Sequence, residues 1–183
     1  RDIQKLKDNG TPFATVTAYD YISARNADAV EIPLLLVGDS AAMVVYGMDT
    51  TIPISMEELI FLVRAVRRGS DNALVVADMP FMSYQASVED AVRNAGRFVK
   101  EGGAEAIKLE GGSVYAAQIK AIIDAGIPVM GHVGLLPQSY HLSSGYRIQG
   151  KTQLEAEKIL SDAMAVQDSG AFAVVLEGIP ANL

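Results

Sequence analysis

Six short apolar runs in this chain each stop on a residue able to ionise or to ligate a metal. They are TVTAYD at Asp20, LLLVGD at Asp39, LVVAD at Asp78, AIKLE at Glu110, PVMGH at His132 and AVVLE at Glu177. Carboxylates brought close together repel, and they hold protons unless a cation neutralises them. If the run ends converge, Asp39, Asp78, Glu110 and Glu177 make an oxygen-rich site. With no cysteine in the chain and at most one histidine nearby, such a site suits Mg2+ better than zinc. Mg2+ prefers six oxygens and keeps positions open for water or a chelating substrate. One acidic residue at a strand end reads equally well as a solvated turn residue, but several in equivalent places favour the metal.

Lys108 and Glu110 stand two apart in AIKLE, so in a strand they face the same way. A lysine between apolar residues either snorkels outwards or meets an anion, and the glutamate beside it favours the second. His132 reads either as a site residue or as a histidine satisfied by a backbone carbonyl. His141, in the polar stretch from Gln138 to Ser144, reads as a loop residue.

The run ends lie 19, 39, 32, 22 and 45 residues apart, and a strand, a crossover helix and a parallel return strand need about 30. The pattern predicts parallel strands whose C-terminal ends, where α/β proteins bind ligands, point to one place. Helix signals fill the gaps. Ser55-Met-Glu-Glu58 forms a capping box with Gly69 as the stop, and Ser87-Val-Glu-Asp90 opens a helix that ends at Gly102-Gly103. Ser113 to Gly126 and Thr152 to Gly170 repeat the scheme. A doubly wound sheet usually carries a glycine-rich loop after its first strand, and AYDYIS has no glycine. The expectation is an α/β fold of (β/α)8 TIM-barrel type. A barrel of about 250 residues implies that the last two βα units are absent from these 183 residues. Residues 1–183 are expected to form a single barrel domain, truncated at the C-terminus.

Half the residues are hydrophobic and 20% are charged, as in a compact globule. A net charge of −7 argues against a nucleic-acid partner. No apolar run approaches the 18 or so residues that span a bilayer, and no signal peptide opens the sequence. A cytoplasmic location is expected. Two connections are long, from Ser40 to Ile54 and from Gly134 to Lys151. The first carries an apolar patch, Met43 to Tyr46, that reads equally as a subunit contact or a substrate lid.

The strings VGDSAAMVVYG, VVADMPFMSYQ, KEGGAEAIKLEGG, GIPVMGHVGLLPQS and GAFAVVLEGIP closely resemble ketopantoate hydroxymethyltransferases, in that family's order and across essentially the whole chain. The resemblance implies a (β/α)8 barrel in which Asp39, Asp78 and Glu110 hold Mg2+. It also implies that an α-keto acid chelates the metal and touches Asp39, Ser40, Asp78 and Lys108. Glu177 matches the proton acceptor, and His132 matches a histidine at the substrate site. The reaction implied is hydroxymethyl transfer from 5,10-methylenetetrahydrofolate to 2-oxoisovalerate, giving ketopantoate on the way to pantothenate. A homo-oligomer, commonly a decamer, is implied as well. The chain departs from the family pattern at Glu31, Leu136, Ser144 and Gly178. None of these is a proposed ligand or base, and they bear on loop geometry.

Two rival readings remain. One is another Mg2+-dependent keto-acid lyase or mutase of the phosphoenolpyruvate mutase and isocitrate lyase type. Its usual catalytic-loop cysteine cannot exist in a chain without cysteine. The other is a non-catalytic barrel scaffold, which would predict loss of a ligand or of the base.

Overall fold

The computed structural model describes residues 3–143 and 145–183, so Ser144 lies outside the described residues. In chain order the elements are α1 (Ile3–Asp8), β1 (Thr15–Thr17), α2 (Tyr21–Ala29), β2 (Leu34–Val37), α3 (Ala41–Val44), α4 (Met56–Gly69) and β3 (Leu74–Asp78). They continue with α5 (Val88–Arg97), β4 (Ala106–Lys108), α6 (Ala116–Asp124), β5 (Val129–Gly134), α7 (Tyr140–Ser143), α8 (Gln153–Asp168) and β6 (Ala173–Glu177).

The six strands form one sheet in the order β1-β2-β3-β4-β5-β6, every pair parallel. Each strand thus lies beside its sequence neighbour. This is the order of a barrel wall, without the reversal that marks a doubly wound sheet. All six predicted runs are strands, although β1 and β4 are only three residues long.

Strand alternation sorts the apolar residues into two layers. Leu35, Val75, Ile107 and Val129 pack against helix residues such as Leu59 and Ile119. Their neighbours Leu34, Val76, Ala106 and Met130 form a smaller cluster on the opposite face. Continuing that second face towards the C-terminal ends by steps of two gives Asp78, Lys108, Glu110, His132 and Glu177. The alternation that buries the inner cluster therefore also aims the polar residues at one place.

Three helices start as predicted. Ser55 and Glu58 exchange both capping-box hydrogen bonds, with Glu58 N donating to Ser55 Oγ at 3.3 Å and Ser55 N to Glu58 Oε2 at 2.8 Å. Thr152 and Glu155 do the same on α8, and Ser87 Oγ accepts from Asp90 N at 3.0 Å. Other starts and stops differ. Ser113 does not cap α6 but opens a 3-10 turn, Ser113–Tyr115, and binds Asp162 of α8 through both its amide and its hydroxyl. Gly69 is the last residue of α4 rather than a left-handed stop beyond it. It is there for closeness, since a Cβ would stand 2.5 Å from Tyr21 O.

The apolar patch from Met43 to Tyr46 is not a plain loop: α3 occupies its first half, leaving Val44, Val45 and Tyr46 exposed. His141 belongs to α7 rather than to an irregular loop. At the sheet's outer strands, β1 is exposed along its length, and Val174 and Leu176 of β6 are exposed on the helix-side face. No helix among the described residues is long and apolar enough to cross a membrane.

Candidate active site

Five of the six run ends meet at one cavity of about 250 Å3, lined by Asp39, Asp78, Glu110, His132 and Glu177 together with Ser40 and Lys108. Asp20 does not join them. Its carboxylate accepts from Ser23 N at 2.8 Å and caps α2, which is what an aspartate just before a helix is well suited to do. A cavity below the roughly 300–1,000 Å3 of drug-sized sites suits a small acid.

Register sets the contacts. Asp78 of β3 and Lys108 of β4 are direct cross-strand partners, and Lys108 Nζ lies 2.8 Å from both Asp78 carboxylate oxygens. The pair is buried, with side-chain exposures of 6% and 2%, so the lysine meets an anion rather than snorkelling. Burial alone would push the Lys108 ammonium down. The carboxylates of Asp78, Glu110 and Asp39 outweigh that and hold it above its ordinary value. Asp39 enters from the turn after β2, where its amide donates to Asp78 Oδ2 at 3.2 Å. The Ser40 hydroxyl lies 2.8 Å from Tyr19 Oη, at the rim.

Glu110 sits two residues beyond Lys108 on the same face. One of its oxygens, Oε2, accepts from the Gln138 amide at 3.0 Å. The other, Oε1, is buried without a hydrogen-bond partner. Burial pushes Glu110 up to about 8, with the Asp78 and Asp39 charges adding and Lys108 opposing. Burial also pushes Asp39 well up, and neighbouring Asp78 adds to it. An orphaned buried oxygen and carboxylates pushed towards their protonated forms fit a site that would take a positive charge.

His132 is buried and does not bond a backbone carbonyl. Its Nε2 lies 3.2 Å from Glu177 Oε2 and its Nδ1 lies 3.8 Å from Glu110 Oε1. Neither approach is aligned as a hydrogen bond. Burial pushes the imidazole below its usual value, against the pull of Glu177. The imidazole in turn holds the Glu177 carboxyl below its usual range. Gly134 ends β5 opposite Glu177 in the β5–β6 register at φ +96°, and any Cβ there would run into the Glu177 carbonyl.

Among the described residues, no three Asp, Glu or His side chains stand close enough to hold an ion as they are arranged. Lys108 takes up the Asp78 carboxylate instead. In chemistry, though, the donors fit a hard divalent cation: all are oxygens, one is orphaned, and four carboxylates face one ammonium. Binding would require at least one of these side chains to turn towards the ion, Asp78 with its Lys108 partner first.

The sequence reading passed over Gln138 and Tyr84, and both are central. Gln138 is buried in the turn Pro137–Ser139 and donates through Nε2 to Asp39 Oδ2 at 3.0 Å. Tyr84, also buried, shares its hydroxyl proton between Gln138 Oε1 at 2.9 Å and Glu110 O at 3.0 Å, and accepts from Glu110 N at 3.2 Å. Both lie inside the recognisable strings VVADMPFMSYQ and GLLPQS, the one signal that could have marked them. Of the departures from the family pattern, Glu31 adopts φ +60° at the end of α2, the left-handed conformation a glycine adopts without strain. Gly178, at φ +56°, leaves room for the Leu135 side chain.

Comparison with known proteins shows the family of this chain. The family model described as ketopantoate hydroxymethyltransferase matches residues 1–183. A 3-methyl-2-oxobutanoate hydroxymethyltransferase of Carboxydothermus hydrogenoformans is 55% identical over 181 residues, covering 99% of this chain and 66% of that protein. The chain spans 60 to 68% of the length of such curated relatives. Among solved structures, 2,3-dimethylmalate lyase, a PEP mutase/isocitrate lyase superfamily member, superposes with TM-score 0.70 at 20% identity, over 98% of this chain and 64% of that one. Phosphonopyruvate hydrolase in complex with oxalate and Mg2+ gives TM-score 0.71 at 15% identity, over 93% and 60%. Likenesses at that identity carry the fold alone. The sequence match is of another order, running from the first residue to the last, and this chain belongs to the ketopantoate hydroxymethyltransferase family.

Proposed function

We propose that the protein transfers a hydroxymethyl group from 5,10-methylenetetrahydrofolate to 2-oxoisovalerate, forming ketopantoate and tetrahydrofolate with uptake of one water. The observation that carries this reading is the pairing of a half-exposed Glu177 carboxylate with the buried His132 imidazole at 3.2 Å. The pair lies on the wall of a cavity that also holds Lys108 and three further carboxylates. Glu177 is kept ionised at the rim, so it is the group able to take the C3 proton. Lys108 supplies positive charge beside the enolate that results. Asp39, Asp78 and Glu110 would hold Mg2+, with Ser40, Asp78, Lys108 and His132 around the keto acid. When bound, the metal serves as a Lewis acid that makes the C3 proton more acidic.

Residues 1–183 are read as one domain of a (β/α)8 barrel. In support, the strands follow sequence order and leave β1 exposed along its length and Val174 and Leu176 of β6 exposed. The chain also spans about two thirds of its relatives' length. Two further βα units would pair those outer strands. A homo-oligomer, a decamer by resemblance, has a physical motive in exposed Val44, Val45 and Tyr46. A cytoplasmic location completes the reading.

The test is exchange of the C3 proton of 2-oxoisovalerate into deuterated water, followed by NMR on the full-length protein without folate. Exchange that needs both protein and Mg2+, and ketopantoate once folate is added, is the expected result. Keto-acid cleavage in place of exchange would favour the lyase reading instead.

A further inference from the structure

We infer that Gln138 is a positioning residue: a carboxamide strut that fixes Asp39 and Glu110 relative to each other, and so prepares their oxygens for a divalent cation. Its carboxamide has four hydrogen-bonding positions, two donors on Nε2 and two acceptors on Oε1. Each has a partner facing it. Nε2 donates to Asp39 Oδ2 at 3.0 Å and to Met79 O at 2.8 Å. Oε1 accepts from Gln85 Nε2 at 2.9 Å and lies 2.9 Å from Tyr84 Oη, whose one proton is shared between it and Glu110 O at 3.0 Å. With two acceptors, Asp39 Oδ2 and Met79 O, facing one end of the amide and the Gln85 donor facing the other, its NH2 is turned to the Asp39 carboxylate.

The main chain of the same residue holds the second carboxylate. Gln138 N donates to Glu110 Oε2 at 3.0 Å, which leaves Glu110 Oε1 as the buried oxygen without a partner. One residue therefore grips an oxygen of Asp39 with its side chain and an oxygen of Glu110 with its backbone. Through Met79 and Tyr84 it also ties the segment after β3 to the same point. Gln138 is 95% buried, and its grip on Asp39 joins residues 99 apart in sequence. Neutral donors suit this task. They hold two carboxylates in place without cancelling the negative charge that a cation needs. A lysine in the same position would compete with the ion.

This inference rests on the metal reading above, and the experiment separates the two. Mn2+, which takes the same hard oxygen donors, is titrated into the full-length protein and free ion is read by electron paramagnetic resonance. In parallel, C3-proton exchange is measured at saturating cation. Gln138→Met keeps length and removes every side-chain hydrogen bond. It is expected to weaken Mn2+ about 10- to 100-fold, as loss of a partner to a metal ligand does, while exchange at saturation stays near wild type. Unchanged Mn2+ affinity overturns the inference. So does exchange lost at saturating cation, which would place Gln138 on the reacting atoms. If Gln138→Met fails to fold, Gln85→Leu carries the test by removing one donor to Oε1 while both carboxylates and their own partners remain. A weaker loss of Mn2+ affinity in the same direction supports the strut, and none overturns it. Wild-type protein that binds no Mn2+ would overturn the metal reading as well.

Discussion

His132 Nε2 lies 3.2 Å from Glu177 Oε2, yet the two side chains are 1% and 44% exposed. The asymmetry divides their roles. Burial disfavours a charged imidazole, while the neighbouring imidazole holds the half-exposed carboxyl below its usual range. A neutral imidazole can steer the carboxylate, and an ionised carboxylate can accept a proton. Glu177→Gln keeps the shape and loses that capacity. C3-proton exchange should fall by about 10²–10⁴ with Mn2+ affinity unchanged. Exchange at the wild-type rate would place the base elsewhere, with His132 the first candidate.

Gly69→Ala isolates close packing from helix propensity. Alanine in a helix gains up to about 1 kcal/mol over glycine. Here its Cβ would stand 2.5 Å from Tyr21 O and 2.8 Å from Ala24 Cβ, where α4 meets α2. Overpacking of this kind costs about 1–3 kcal/mol, so the variant should be net less stable in urea unfolding. A variant more stable than wild type would mean that α2 shifts freely.

Those two contacts differ in how far the sequence announces them. Asp78, Lys108, Glu110, His132 and Glu177 are legible because a strand repeats every two residues, so a polar residue at a run's end inherits the direction of the apolar ones before it. Asp20 ends a run just as well, but the helix that follows claims its carboxylate. Gln138 sits in a turn with no period to read, and its partners lie up to 99 residues away. Gly69 looks like a helix stop because its neighbour in α2 is invisible to local pattern. Turn chemistry and interhelix distance are properties of the assembled fold. Periodicity shows which way a strand residue faces and leaves its partners open.

Asp28 gives a prediction in acid. Although buried, it accepts from Ser70 Oγ at 2.7 Å, Asn72 N at 2.8 Å and Ala73 N at 3.1 Å, tying the end of α2 to the turn before β3. Burial would raise its pKa, but these hydrogen bonds outweigh it and hold the carboxyl far below its ordinary value. A folded pKa below the unfolded value of about 3.9 means that the stabilisation is complete above that pH. It is lost as pH falls towards the folded value. Asp28→Asn should cost about 1–3 kcal/mol at neutral pH, and its gap from wild type should narrow as pH drops from about 5 to about 2. A gap that stays constant over that range would remove the charge from the explanation.

Lys108 and Asp78 make the sharpest prediction, because the ammonium spans both carboxylate oxygens that the proposed cation would also use. Lys108→Met preserves much of the volume and leaves Asp78 buried and unpaired. Breaking a buried ion pair from one side costs about 3–5 kcal/mol, so without divalent cation the variant should melt well below wild type. A cation that can reach Asp78 supplies the charge the lysine took away. Because a ligand stabilises the folded state in proportion to how tightly it binds that state, saturating Mg2+ should raise the melting temperature of Lys108→Met more than that of wild type. Catalysis should not follow stability. C3-proton exchange should stay low with Mg2+ present, since the charge beside the enolate is gone. Thermal melts of both proteins with and without Mg2+, paired with the exchange assay, decide it. A Mg2+-induced shift no larger than wild type would mean that the cation does not use Asp78, and the proposed ligand set would lose its middle member.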